Sequence, residues 1–370
     1  MKNSWLLSLV AWCVTGASVF AWPASVARGA DISNLYEAEV PVKTQERDER
    51  VEAYPEALSQ VIIKLSGDRR APSRPELAGV ISGATRLVQQ FSYRPLPPEG
   101  FAGLEEAGYN RILNVRFDGD VLTQTLVRAG VPLWGRTRPE VMLWLAVEDR
   151  GARYILASGA SVEMDSYLEA ASERRGLPIL LPLMDLADQR EVSFAEVWGD
   201  FPQGIVQASR RYNADAVLVG RAHRLSNGRW EARWSLYHAD DRQFWQTGGN
   251  SQADALSGGV DGAADHLAAT YAQVLTASSG ATMVLTVMDV DSLEGYAQVL
   301  NYLTSLDAVT GVQVSEVAGN AVSFALTIRT DPEGLRKTIA LNRALAHVAD
   351  AGFAGSGTVA PGRLTYRLLP

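Results

Sequence analysis

The residues best equipped for chemistry are four histidines, a few carboxylates and a set of tryptophans, and spacing decides what each can do. His223, His238, His266 and His347 are not spaced with one another or with carboxylates as metal-ligand pairs. No metal and no cofactor is expected. Gly249-Asn250-Ser251-Gln252-Ala253 approaches a nucleophile elbow, but it lacks the final glycine and follows no strong buried strand. Gly258-Gly259-Val260-Asp261-Gly262 could offer backbone N–H groups to an anion, yet its spacing fits neither the phosphate loop nor the dinucleotide fingerprint. A flexible loop with Asp261 as a helix cap is the better account. Glu191, Glu196 and Asp200 are the carboxylates that a paired-acid hydrolase could use. Trp230, Trp234 and Trp245, with Tyr237, form the candidate binding group: Trp230 and Trp234 share a strand face, and Trp245 can lie beside them. An uncovered face of this kind suits a protein interface. A face covered by the last helix of its domain would be core.

The elements that position these residues group into three units, an α/β and α+β organisation of three mixed domains. Residues 31–130 form an N-terminal α/β domain. It has a strand at Tyr36 to Val42, a helix from Glu46 to Leu65 that Pro55 can break and Gly67 stops, and a second helix from Pro75 to Gln89. Two short strands, Gln90 to Tyr93 and Arg111 to Phe117, and a helix from Gly119 to Ala129 capped by Asp118 complete it.

Residues 139–277 form a central domain. Val141 to Val147 is apolar throughout and reads as a strand buried on both faces, followed by strands at Ile179 to Leu181 and Ala216 to Val219, each preceded by a helix. A hairpin turns at Asn227-Gly228, which pairs Ser226 with Arg229 and sets His223 opposite Ala232. Phe244 to Gln246 is a further strand and Asp261 to Thr276 a closing helix. Residues 281–370 read β-α-β-β-α-β, a ferredoxin-like C-terminal domain. Its first helix carries Leu293, Tyr296, Leu300 and Leu303 on one face, its hairpin turns at Gly319-Asn320, and its second helix runs from Asp331 to about Ala346.

The first 27 residues read as an export signal. Lys2 precedes a long uncharged, mostly apolar stretch ending in Ser25-Val26-Ala27, a small-x-small cleavage site, so a periplasmic protein is expected. An uncleaved anchor is the alternative. Cys13 is the only cysteine and lies within the signal, behind Trp12 rather than a small residue, so neither a lipid anchor nor a disulfide is expected. Composition is that of an ordinary globular chain, 47% hydrophobic with a formal net charge of −8. Nucleic acid is not an expected partner. Lys64, Arg69, Arg70, Arg128, Arg136 and Arg138 come nearest to a basic cluster, and they read as scattered solvated charges.

Three segments, Leu35 to Val42, Ala57 to Gly67 and Leu87 to Arg94, resemble the proteobacterial family called domain of unknown function 2066. That family supplies no activity to carry over. Ser209 to Gly220, followed by a polar hairpin, is similar to the periplasmic domain of curli-secretion and penicillin-binding-protein-activator lipoproteins. The latter resemblance implies a role in binding other envelope proteins. The expected function is a non-catalytic binding or assembly factor with a protein partner in the envelope. A periplasmic hydrolase of cell-wall material and a small-ligand-binding protein with an apolar pocket between domains are the alternatives.

Overall fold

The computed structural model describes residues 30–32, 34–96, 105–275, 281–341, 344–348 and 363–369. The expected export signal lies outside the described residues. Elements are numbered in chain order. A two-residue strand β1 (Ala30–Asp31) leads into β2 (Glu37–Val42), whose alternation buries Ala38, Val40 and Val42. Helix α1 (Arg47–Ser66) runs unbroken through Pro55. The bond that Pro55 cannot make belongs to the carbonyl of Val51, a residue 37% exposed, so water can satisfy it. Gly67 ends the helix at φ 71°, its N–H donating to the Ile63 carbonyl. Helix α2 (Pro75–Ser82) is shorter than its apolar pattern predicts, because the chain passes through a single 3-10 turn into β3 (Val88–Pro95). Strand β4 (Arg111–Phe117) lies between β2 and β3, antiparallel to both. Helix α3 (Gly119–Arg128) follows, with Asp118 accepting from the Val121 N–H at 3.0 Å.

After β5 (Thr137–Arg138), which pairs with β1, the central sheet is built on β6 (Val141–Asp149). β6 pairs antiparallel with β7 (Ala152–Ile155) and parallel with β8 (Ile179–Leu180), which follows α4 (Val162–Arg175). Short helices α5 (Leu186–Glu191), α6 (Phe194–Gly199) and α7 (Pro202–Ser209) lead to β9 (Ala216–Arg224), parallel to β6 on its other side. β10 (Trp230–His238) and β11 (Asp241–Gly249) extend the sheet to its edge, and α8 (Gln252–Tyr271) returns across it. Cores lie on both faces of this sheet. One is packed by α4 and α8, the other by α6 and α7, which is why β6 is apolar without alternation.

The last sheet has the order β13-β14-β12-β16-β15, where β12 is Ala281–Met288, β13 Val309–Ala318, β14 Ala321–Ile328, β15 Leu345–His347 and β16 Arg363–Leu368. With helices α9 (Leu293–Ser305) and α10 (Pro332–Leu341), this is the split β-α-β arrangement. Two details differ from the sequence pattern. Leu293 is 83% exposed at the first position after the Ser292 cap, and the buried stripe of α9 is Gly295, Val299, Tyr302 and Leu303. Helix α10 stops at Leu341, and Leu345–His347 pairs with β16 instead of extending it.

Two of the supposedly solvated cations are structural. Arg138 is fully buried, and all five of its N–H donors reach carbonyls: Gly135, Arg175 and Gly176, Lys64 and Trp134, at 2.7–3.0 Å. Three of those carbonyls close α1 and α4, the negative ends of two helix dipoles. Burial lowers the Arg138 pKa to about 9, still far above neutrality. Lys64, also buried, donates to the carbonyls of Asn34 and Glu37, and desolvation brings its pKa down to about 8. Arg175, equally buried, reaches the Gly67 carbonyl and the carboxylates of Asp261 and Asp265. These cations join α1, α4 and α8 across the boundary between the first two units.

Candidate functional site

The tryptophan face is covered. Helix α8 begins at Gln252 rather than Asp261, because Ser251 and Asp254 form a reciprocal capping box. The serine of the would-be nucleophile elbow is therefore a helix cap, and Gly258, Gly259 and Gly262 lie inside the helix. Each serves close packing: a Cβ on Gly259 would fall 2.4 Å from the Trp234 ring, and one on Gly262 2.4 Å from that of Trp245. Trp230 and Trp234 are 6% and 2% exposed, and Trp245 is half-buried against the helix. Their polar atoms are used inside, Trp234 Nε1 donating to Thr247 Oγ1 at 2.8 Å and Trp245 Nε1 to the Gly258 carbonyl at 3.2 Å. Trp230, Trp234 and Trp245 thus do not form a free binding face.

The opposite face of the same strands is open. Helices α6 and α7 cover β6 and the first half of β9 on this side, and beyond them Glu231, Arg233, Arg242, Phe244, Gln246 and Gly248 are exposed. The loop before β10 determines what meets here. Gly228, at φ 84°, makes the turn three residues long, with Leu225 N–H donating to the Arg229 carbonyl at 2.8 Å. The register consequently differs by one from the two-residue turn expected of Asn-Gly. His223 faces Glu231, not Ala232, and Arg221 faces Arg233. Arg221 donates to the Trp198 carbonyl at 2.8 Å, while neither arginine has a carboxylate within ion-pair distance among the described residues. Only at its outer end does the face neutralise a cation. The Asp200 carboxylate, itself 7% exposed, accepts from Ser235, from Tyr237 at 2.7 Å and from Arg242 at 3.0 Å. The Arg242 guanidinium lies 4.8 Å from the Tyr237 ring centre and 4.3 Å from that of Phe244. Burial, followed by the bond to Asp200, raises the Tyr237 pKa, so its hydroxyl stays protonated. Phe244 is 58% and Phe201 60% exposed beside this group. At the inner end Phe194 stacks on Trp198, which meets His223 edge-on.

The remaining candidates have other occupations. Glu196 closes the capping box of α6 with Ser193, Glu191 is exposed at the end of α5, and Asp200 organises the hydroxyls and arginine just described. His238 Nε2 lies 2.7 Å from the Tyr271 hydroxyl; burial lowers the pKa of the histidine and raises that of the tyrosine to about 12. His266 packs on Trp245 and His347 on Tyr366. No group of three or more metal-ligating side chains is found among the described residues. Where the three units meet, Leu65, Trp134, Tyr271, Gln273 and Leu306 line a crevice of about 50 Å³, and between the first two units Gly67, Arg69, Pro132, Asp265 and Ala269 line an open recess of about 670 Å³. Trp134 Nε1 and Gln273 Oε1 have no protein partner among the described residues, and the crevice is several times smaller than small-molecule pockets of roughly 300 Å³ and up.

The Arg221–Arg233 opposition was hidden in the sequence because it depends on one residue of turn length. The three-residue loop with glycine in its last position is the signal that would have revealed it. Against known proteins, nothing among the curated ones matches this chain. A family described as a domain of unknown function (DUF8605) matches residues 29–135, the first unit and the segment that leads out of it.

Proposed function

We propose that this protein is an exported, non-catalytic accessory factor of the cell envelope that holds a protein partner on the open face of its central sheet. The observation that carries this reading is the contrast in cover along β10 and β11. One side is sealed by a glycine-containing helix, and the other keeps Phe244, Phe201, Arg233 and Arg242 exposed beside the half-buried Arg221. Aromatic and arginine side chains are the types that anchor protein interfaces. The apolar leader of residues 1–27 supports export to the periplasm. The likeness of Ser209 to Gly220 to the curli-secretion and penicillin-binding-protein-activator domains supports an envelope partner. Against a hydrolase stands the structural use of Glu196 and Asp200.

The test is photo-cross-linking in cells from a photoreactive residue at Phe244 or Gln246, with Trp234 as the buried control. A single dominant protein adduct from the open face, absent from Trp234, is expected. No adduct from either exposed position overturns the reading.

A further inference from the structure

We infer that the segment recognised on this face is acidic, an extended carboxylate-bearing stretch of the partner that lies across β9, β10 and β11. This inference rests on the partner-binding reading above. Like charges directly opposite on a sheet destabilise it, and their Cβ atoms stand about 5 Å apart. The chain nevertheless sets Arg221 against Arg233, while it pairs Arg69, Arg94, Arg116, Arg153 and Arg211 with carboxylates elsewhere. On a protein of net charge −8, this is a local reversal of sign. Long side chains on directly opposed residues can converge on one carboxylate, Arg221 through donors other than the one it gives to the Trp198 carbonyl. The surroundings fit the rest of such a segment. Glu231 stands 3.9 Å from His223 and Asp200 is engaged with Arg242, and neither carboxylate lies within ion-pair distance of the opposed pair. Phe244, opposite Ser235 and so two residues along from Arg233, offers apolar contact beside it.

The experiment measures fluorescence anisotropy of the whole exported protein with three probes. They are a labelled peptide of alternating glutamate and threonine with one central phenylalanine, its lysine-for-glutamate counterpart, and phosphatidylglycerol vesicles. The glutamate peptide is expected to bind in a salt-sensitive way and the lysine peptide not to bind. Arg221→Ser and Arg233→Ser should each weaken binding by about five- to tenfold, and Arg221→Lys, which keeps the charge and loses the planar fork, should weaken it by about two- to threefold. Arg233→Glu should shift preference toward the lysine peptide. Equal binding of both peptides, or binding unchanged by the serine variants, overturns the inference. Vesicle binding without peptide binding also overturns it and assigns the arginines to a lipid surface. The two readings fail separately. A cross-linked protein at Phe244 that persists in the Arg221→Ser/Arg233→Ser double variant keeps the partner and removes the acidic chemistry, whereas no cross-link in the native protein removes both.

Discussion

The two faces of the β10–β11 hairpin follow different rules. Trp230 and Trp234 point into a packed interior where each indole has a fitted neighbour, and the covering helix gives up side chains at Gly258, Gly259 and Gly262 to let Thr247 and the rings in. The other face has no comparable fit. Its central arginines oppose one another, and its aromatic residues stand in solvent. Packing explains the identity of nearly every residue on the first face, whereas on the second Ser235, Tyr237 and Arg242 are accounted for by Asp200 and Arg221 by the Trp198 carbonyl, and Arg233 and Gln246 have no such role among the described residues. Exposed residues that the fold does not require are the natural place to look for a function.

The contrast can be broken most directly at Gly259. Gly259→Leu forces a side chain into the Trp234 ring and should cost roughly 3 kcal/mol, read as a fall in the denaturant midpoint. Thr247→Val removes the acceptor of the Trp234 indole, and stability should drop by about 1–2 kcal/mol in the same measurement. Cations extend the comparison. Lys64 has a folded-state pKa depressed to about 8 from 10.5, so in that interval the unfolded chain binds more protons and stability rises with pH. Lys64→Met should lose that rise, which amounts to at most about 1.4 kcal/mol per pH unit, when unfolding curves of the two proteins are compared across the interval. The smallest effect has the opposite sign. Arg233→Thr relieves the exposed opposition and should raise stability by about 0.2–1 kcal/mol in thermal unfolding, while partner cross-linking falls. A destabilising result would mean that the pair already has partners in the folded protein.

Much of the fold could be read in the sequence where one local signal governs the outcome. Asp118, Ser292 and Gly67 mark helix ends, and the ferredoxin-like order follows from alternating patterns separated by turn residues. Features that depend on a distant neighbour were not legible. Three glycines near the start of an apolar run look like a loop until the tryptophans that need the space are known. Lys64 and Arg138 look solvated because their partners are backbone carbonyls, which carry no sequence signature. Of the candidate site, the sequence placed Trp230 and Trp234 on one face of a strand, and only the position of α8 decides that this face is covered and the other exposed.

The segment from Leu133 to Arg138 touches all three units through hydrogen bonds. Leu133 exchanges backbone bonds with Gln273, the Trp134 N–H donates to the Leu65 carbonyl, the Arg136 N–H reaches Asp307, and Arg138 binds the ends of α1 and α4. Opening any one unit therefore strips acceptors or donors from a strand that the others also use. The three cores are thereby coupled, so calorimetry should show their transitions overlapping, and a protease nick within these six residues should lower the stability of all three units.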